Sequence, residues 1–139
     1  MSIMLLGAYA HAQKISESEV PSSVKTTFST LYPNTKVEKW EKEKDNYKAK
    51  FDQKKAEMCI VIDPNGKLLK TKTKIDHSLL PEAAKDYILK NYAGKKISEA
   101  KKSIDADGKV TYEAEVQETN LCFDSAGTFL NSKMEKKKD

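Results

Sequence analysis

Two segments of the chain carry an apolar residue at every fourth position. Residues four apart lie on one face of an α-helix, so each segment predicts a helix with one buried face. A proline follows the first apolar residue of each segment, and proline suits the first turn of a helix. The apolar positions and prolines are Val20, Pro21, Val24, Phe28 and Tyr32, then Leu80, Pro81, Ala84, Ile88 and Tyr92.

Short runs that alternate apolar and polar residues follow each of these segments. Alternation predicts β-strands with one face packed against helices and the other in water. Turn-forming residues separate the runs, and Asp105-Ala106-Asp107-Gly108 is interpreted as a type I′ hairpin turn. The apolar positions are Tyr47, Ala49, Phe51, Met58, Ile60, Ile62, Tyr112, Ala114, Val116, Leu121 and Phe123, and the other turns are Asp45-Asn46, Asp63-Pro64-Asn65-Gly66 and Ser125-Ala126-Gly127.

These elements occur twice in the same order. The helix segments are 60 residues apart, the Tyr-x-Ala strands 65 and the Asp-x-x-Gly turns 61, differences that loops can absorb. The sequence therefore predicts an α+β fold of tandem α-β-β-β-β repeats, about residues 18–75 and 78–132, with helices on one face of an antiparallel sheet. Trp40 is placed in the first strand of its repeat, where Ala100 stands in the second, and the spacing of Val37 and Trp40 predicts a bulge.

The two ends of the chain depart from this pattern. Residues 1–12 carry no charged side chain and end in Ala10-His11-Ala12, which resembles a signal-peptidase site before Gln13. A short signal peptide and export to the periplasm or beyond are predicted, with a buried N-terminal segment as the alternative. The apolar run is too short to span a membrane. The mature domain is expected over residues 13–132, followed by a solvated Lys-rich tail over residues 133–139.

Length and charge narrow the classes of function. The chain has 139 residues, fits one domain and excludes a multidomain enzyme. All 25 basic residues are lysine, and acids balance most of them, so no nucleic-acid partner is expected. The repeats have opposite signs: residues 14–75 carry 14 lysines and 9 acids, a net +5, and residues 76–132 carry 7 lysines and 10 acids, a net −3.

With the proline-led helices, the Trp40 strand, the Tyr-x-Ala strands and the Asp-x-x-Gly turns in place, the sequence resembles the PepSY-like domains of exported Bacteroidetes proteins. These domains are similar to the beta-lactamase inhibitor protein. The resemblance covers Val20 to about Leu130 and implies tandem α/β repeats that form a curved antiparallel sheet with helices on one face. In the inhibitor protein the open sheet face binds an enzyme, but no motif in this chain identifies the same target.

Known catalytic and metal-binding motifs are not found in the sequence. It has no Gly-x-Ser-x-Gly elbow, no phosphate-binding Gly-Lys-Ser/Thr loop and no His-Glu-x-x-His. His77 is interpreted as a surface or capping residue rather than a catalyst. Asp105-x-Asp107-Gly108 resembles part of a calcium loop, but its glycine comes too early, which favours a hairpin turn. The sequence therefore predicts no enzymatic activity, catalytic residue, metal site or cofactor.

Cys59 and Cys122 are the only cysteines of the sequence. Counted from the core-facing Ile60 and Leu121, both side chains point to the sheet face without helices. If the third strands of the two repeats are neighbours, an exported protein would join the pair in a disulfide. Otherwise they are two separate small hydrophobic side chains, since a disulfide needs Cα atoms within about 7 Å.

Charged strand positions are predicted on the same helix-free face. The simplest explanation is that solvent-facing charge prevents aggregation of the sheet. The functional alternative is a docking face, with Trp40, Tyr47 or Tyr112 as anchors. The charged positions are Lys48, Lys50, Lys70, Lys72, Lys74, Glu113 and Glu115.

These observations predict an exported, non-enzymatic binding module. Its partner is expected to be an unknown protein or peptide of the cell envelope, bound through the open sheet face. The alternative is a periplasmic protein that binds a small ligand or an ion, for which a deep pocket with converging polar groups would be the deciding observation.

Overall fold

The structure is a computed structural model that describes residues 12–134. Its sheet contains nine strands, and their spatial order equals their order along the chain. Every neighbouring pair is antiparallel. The elements are β1 (Gln13–Ile15), α1 (Ser22–Leu31), β2 (Lys39–Glu43), β3 (Asn46–Gln53), β4 (Ala56–Ile62), β5 (Leu68–Ile75), α2 (Glu82–Asn91), β6 (Ile97–Asp105), β7 (Val110–Val116), β8 (Thr119–Asp124) and β9 (Phe129–Met134).

The two helices begin where the prolines predict. Pro21 and Pro81 directly precede α1 and α2, and a short 3₁₀ turn leads into each proline. The buried positions of the helices are those of the four-residue spacing, Val24 and Phe28 in α1 and their counterparts in α2. His77 is exposed in the second 3₁₀ turn, and the cap there is the carboxylate of Asp76, which accepts a hydrogen bond from the Ser78 amide at 2.9 Å.

Each repeat builds its own hydrophobic core between its helix and its part of the sheet. The predicted fold class, two repeats with the helices on one face of an antiparallel sheet, is thereby confirmed. The buried residues of the first core are Val20, Val24, Phe28, Trp40, Tyr47, Ala49, Phe51, Ile60 and Ile62. Those of the second core are Leu80, Ala84, Ile88, Ala100, Ala114, Val116, Leu121 and Phe123.

The two repeats share one strand register. Ala49 lies between Trp40 and Ile60, and in the second repeat Ala114 lies in the same way between Ala100 and Leu121. The β4–β5 and β8–β9 pairs also shift register at equivalent points, Val61/Ile62 and Cys122/Phe123. The duplication therefore extends to the irregularities of the sheet.

The bulge predicted near Trp40 lies just before β2, and the second repeat has its equivalent at the start of β6. In β6 the register shifts between Ile97 and Glu99. At the equivalent place before β2, the Glu38 amide donates to the Lys50 carbonyl at 2.8 Å while Lys39 is also paired with Lys50. Two residues thus face one, and Val37 still packs against the first core.

The third hairpin turn of each repeat rests on the helix of that repeat. Gly66 adopts φ +90°, and a Cβ there would lie 2.9 Å from Thr27 Oγ1. Thr27 Oγ1 donates to the Gly66 carbonyl at 2.6 Å, and Ser23 Oγ donates to the Pro64 carbonyl at 2.7 Å. Gly127, with φ +89°, approaches the start of α2 as closely. Only glycine allows both the left-handed backbone and this approach.

The predicted type I′ turn at Asp105–Gly108 is wrong. Only Gly108 has a positive φ there, and its amide donates to the Asp105 carbonyl at 3.0 Å, as in a type I turn followed by a glycine bulge. Asp105 Oδ1 accepts from the Asp107 and Lys109 amides and holds this shape. The turn predicted at Asp45-Asn46 lies one residue earlier, because Asn46 already belongs to β3.

True type I′ turns occur at two places that carry no glycine. Lys54 and Lys55 have φ values of 49° and 66° between β3 and β4. Gln117 and Glu118 have φ values of 49° and 64° between β7 and β8. Two successive residues in the left-handed conformation define a type I′ turn. Lysine, glutamine and glutamate do not favour this conformation, so pairing of the flanking strands must impose it.

The sheet is longer at both ends than the sequence pattern predicts. β1 adds a short strand that pairs with β2, although its residues precede the predicted repeat. Lys133 and Met134, assigned to a solvated tail, extend β9 because they pair with Asn120 and Thr119 of β8. The predicted signal peptide, apart from Ala12, and the rest of the tail lie outside the described residues. Among residues 12–134, no helix is long and apolar enough to cross a membrane.

Candidate functional site

The sheet face opposite the helices, here called the open face, carries the charged residues predicted from strand alternation. Side chains alternate along a strand, so residues flanking Ala49, Thr71 and Ala114, which lie on the helix side of the sheet, point away from the helices. The structure therefore brings the predicted positions of three strands onto one face. They are Lys48 and Lys50 of β3, Lys70, Lys72 and Lys74 of β5, and Glu113 and Glu115 of β7.

Strand register arranges four of these lysines around an apolar centre. Val61 of β4 lies directly between Lys48 and Lys70. Cys59 lies directly between Lys50 and Lys72, two residues further along β4. A groove of about 330 Å³ runs over this region except Lys50, and it also reaches Glu43, Lys44 and Leu69. We call the six residues of the two rows the lysine trough: Lys48, Lys50, Cys59, Val61, Lys70 and Lys72.

Ion pairs hold the lysines of β3 in place. Lys48 Nζ lies 2.9 Å from Glu43 Oε2, and Lys50 Nζ lies 3.2 Å from Glu41 Oε1. Burial alone would lower the pKa of Lys48, but the hydrogen bond to Glu43 and the negative charges of Glu43 and Glu41 raise it above its ordinary value. Lys48 is therefore a cation throughout the neutral pH range.

Glu41 is a buried charge that the sequence pattern does not reveal. Its side chain is 2% exposed and forms ion pairs with two lysines. Glu41 Oε1 lies 2.9 Å from Lys39 Nζ and 3.2 Å from Lys50 Nζ. Burial raises the pKa of Glu41, but the hydrogen bonds from the two lysines outweigh burial, so the pKa ends below its ordinary value. In the sequence Glu41 is one more acid in a run of alternating Lys and Glu, so no local signal distinguishes it.

A further ion pair joins the two repeats across β6. Lys72 Nζ lies 3.1 Å and 3.2 Å from the two carboxylate oxygens of Glu113. Both side chains are less than one third exposed, which reduces solvent screening. Ser103 of β6, directly opposite Lys72, is itself buried. The positive and negative parts of the open face therefore meet in a direct contact.

The aromatic anchors suggested for the open face lie elsewhere. Trp40 and Tyr47 are buried in the first core on the helix side. Tyr112 packs against the second core, because it is paired with Phe123. The open face thus presents charged and small apolar groups at these strand positions rather than large aromatic ones.

The disulfide considered for Cys59 and Cys122 is absent, because the third strands of the two repeats are not neighbours. The cysteines lie in β4 and β8, the third predicted strands of the two repeats, and three strands separate these two. At about 4.8 Å per strand their backbones are roughly 19 Å apart along the sheet, too far for a disulfide. Both are free thiols, and burial raises the pKa of each above its ordinary value.

The family model described as "Putative beta-lactamase-inhibitor-like, PepSY-like" matches the chain twice, over residues 8–70 and 70–131. The chain belongs to this PepSY-like family. The resemblance stated from the sequence is confirmed, and the two matches correspond to the two repeats of the fold. Among curated proteins, none matches this sequence.

Solved structures share this PepSY-like fold. A structure titled "putative periplasmic proteins" from Bacteroides eggerthii has a TM-score of 0.75 at 15% identity, covering 82% of this chain and 88% of that one. A DUF2874 family protein from Bacteroides uniformis reaches 0.73 at 16% identity, covering 81% and 88%. A BLIP-like protein from Bacteroides fragilis reaches 0.63 at 22% identity, covering 86% and 89%. At these identities the similarity shows the fold alone.

The PepSY-like repeats of this chain carry opposite charges at equivalent open-face positions. Four residues in the first two strands of the first repeat change sign in the second. The equivalence follows from the shared register, in which Trp40 matches Ala100 and Ala49 matches Ala114. The pairs are Lys39 and Glu99, Glu41 and Lys101, Lys48 and Glu113, and Lys50 and Glu115.

Within residues 12–134, no group of three or more His, Cys, Asp or Glu side chains is placed to hold a metal ion. In the turn that resembles a calcium loop, Asp105 Oδ1 accepts hydrogen bonds from the backbone amides of Asp107 and Lys109. The open face remains the best candidate for a functional site.

Proposed function

We propose that this PepSY-like protein is an exported, non-enzymatic module that binds a protein or peptide of the cell envelope through its open face. The observation that carries the proposal is the lysine trough beside the acidic second repeat, on a sheet face that neither helix covers. When such charged surfaces meet opposite charges on a partner, they govern the rate and specificity of association more than the final affinity. Export is supported by the segment before Gln13 and by the description of the Bacteroides eggerthii structure as periplasmic.

A small anionic ligand is the second candidate, because the groove over the trough has a volume of about 330 Å³. Pockets for small molecules are mostly apolar and enclose much of the ligand. Here most lining residues are polar or charged, and Lys44, Lys48, Lys70 and Lys72 account for four of the nine. An extended partner that lies along the face uses these groups better than a small molecule does.

The proposal is tested by comparing which envelope proteins are captured by the mature wild-type protein and by variants whose charges are altered on one face only. The open-face variant combines Lys48→Glu, Lys50→Glu, Glu113→Lys and Glu115→Lys, so its net charge is unchanged. The wild type should retain a partner that this variant loses, and capture by the wild type should weaken as salt is raised.

The matched control reverses four charges on the two helices: Lys25→Glu, Lys90→Glu, Glu82→Lys and Asp86→Lys. This variant also keeps the net charge and should capture the same partner as the wild type. If the open-face variant captures it equally well, or only the helix-side variant loses it, binding does not occur through the open face. Circular dichroism of both variants confirms that they are folded.

A further inference from the structure

The lysine trough has the dimensions of an extended peptide. Its floor residues, Val61 and Cys59, are two positions apart on β4 and therefore about 6.8 Å apart. Alternate side chains of an extended chain repeat at the same distance. The lysines lie on both sides, one strand from the floor, so the two lysine rows are about 10 Å apart at the backbone. Both floor side chains are partly exposed.

The acids that pair with these lysines belong to strands outside the trough, although Glu43 also lines the edge of the groove above it. Glu43 and Glu41, the partners of Lys48 and Lys50, belong to β2, on the far side of β3 from the floor. Glu113, the partner of Lys72, belongs to β7 and lies beyond β5. An ammonium group has three donors, so one ion pair leaves donors free for a carboxylate above the floor.

From this geometry we infer that the lysine trough binds an extended acidic peptide segment with alternating apolar side chains. The apolar side chains lie on Val61 and Cys59, and the carboxylates reach the lysines on either side. This inference rests on the proposed function and names the chemistry of the partner. Glu57 lies two residues before Cys59 on the same face of β4, and its negative charge limits the binding site for the acidic peptide at that end.

The second repeat provides an internal contrast on the same scaffold. There Cys122 lies between Glu113 and Asn131, and Asn120 lies between Glu115 and Lys133. One row of the equivalent trough is therefore acidic, and the other contains a single lysine. An acidic peptide should bind to the first repeat only.

The probe is a blocked, fluorescently labelled peptide of sequence Glu-Leu-Glu-Leu-Glu, and its control replaces each Glu by Gln. Fluorescence anisotropy with the mature protein measures both affinities at low salt. The acidic peptide should bind at least about tenfold more tightly than the amide peptide, and raising NaCl from about 50 to about 300 mM should remove most of this difference.

Lysine variants locate the site on the protein. Lys70→Gln with Lys72→Gln should lower the affinity for the acidic peptide about tenfold, because two cations of one row are lost. Lys95→Gln with Lys96→Gln removes the same charge from the exposed loop after α2 and should change affinity less than about twofold. Lys70→Glu alone, at an exposed position, tests the same row if the double variant is unstable.

Val61→Asp tests the floor. It places a carboxylate between Lys48 and Lys70, where it competes with the peptide, and binding should fall to background. Val61 is only partly buried, so this variant is expected to fold.

Several outcomes would overturn the inference. The amide peptide could bind as tightly as the acidic peptide. The Lys95/Lys96 variant could lose as much affinity as the Lys70/Lys72 variant, or Val61→Asp could leave the affinity unchanged. Analytical ultracentrifugation identifies a further one: dimerisation that depends on Lys70 and Lys72 would make a second copy of the chain the occupant. If open-face capture of an envelope protein succeeds while the acidic peptide does not bind, only this inference fails, and the proposed function remains.

Discussion

The two repeats share a backbone and differ in where they place their large side chains. In the first repeat Phe28 packs edge-on against Phe51 at 5.0 Å and against Trp40 at 6.0 Å. In the second repeat Ile88, Val116 and Ala100 occupy the equivalent positions, and the aromatic rings move to the other end of the core. There Tyr87 stacks on Phe129 at 4.5 Å.

The same exchange changes how each helix is attached to its last hairpin. Thr27 of α1 donates a hydrogen bond to the turn at Gly66, whereas its counterpart Tyr87 of α2 stacks on Phe129 of β9. Core volume and helix attachment can thus be redistributed while strand register is kept. The open face varies still more freely, since four equivalent positions reverse charge without changing the sheet.

The largest expected effect contrasts the equivalent core positions Phe28 and Ile88. Phe28→Ala removes a ring in contact with three others and should lower the free energy of unfolding by about 3–5 kcal/mol. Ile88→Ala should cost about 2–4 kcal/mol, because less volume is lost. Thr26→Ala, at an exposed position of α1, should cost less than about 0.5 kcal/mol. Urea titrations measure all three, and equal small losses would show that the helix face is misassigned.

Two glycines with a similar backbone conformation but different surroundings give the next largest contrast. Gly127→Ala would place a Cβ 2.8 Å from both the Ala84 amide nitrogen and Pro81 Cβ, and should cost about 3 kcal/mol. Gly108 has a similar φ of +81° but no atom within 4 Å of such a Cβ, so Gly108→Ala should cost only about 1 kcal/mol. Similar melting temperatures for the two variants would mean that contact with α2 contributes nothing.

Glu41 and Lys101 occupy equivalent positions with different burial. Glu41→Gln removes a buried charge that holds two lysines and should cost about 1–2 kcal/mol. Lys101→Gln, whose ion pair with Glu99 is long and partly exposed, should cost less than about 0.5 kcal/mol. A larger loss in Lys101→Gln, measured in urea at neutral pH, would contradict this ranking.

Glu41 also has a defined pH signature. Its pKa is lower in the folded protein than the ordinary 4.5, so the unfolded chain binds more protons in the acid range. The stabilisation from Glu41 is therefore present above about pH 5 and is lost as the pH falls through the folded pKa. Stability curves from pH 7 to 3 should fall less steeply in Glu41→Gln than in the wild type. Parallel curves would assign the acid sensitivity to other carboxylates.

The smallest expected effect is a gain in stability at the β3–β4 turn. Lys54→Asn with Lys55→Gly gives a type I′ turn its preferred residues and should raise the free energy of unfolding by about 1 kcal/mol. The equivalent turn at Gln117 and Glu118 remains as the unaltered reference. A loss of stability would show that the lysine side chains contribute more than the backbone strain removes.

The sequence was sufficient to predict the elements whose signals are local. The four-residue spacing identified the buried helix positions, and alternation assigned Lys48 and Ala49 to opposite faces correctly. β1 was missed because three residues show no usable alternation and form a strand only by pairing with β2. The disulfide failed because strand order, which separates β4 from β8, is not encoded in the local pattern.

The candidate site was predictable only in part for the same reason. Alternation placed Lys48, Lys50, Lys70 and Lys72 on one face, but their arrangement around Val61 depends on register between strands. Burial of Glu41 depends on its lysine partners and neighbouring strands. Such features arise from pairing across the sheet and have no signature within a single segment.

Because the strands are ordered in the sheet as they are along the chain, folding requires few distant encounters. Most strand pairs are closed by a short turn, and the two longer connections each contain a helix that packs on its own repeat. Loop-closure entropy is therefore small at most steps, and rates of folding rise as contacts become more local. The chain should therefore fold faster than a β-sandwich of equal length.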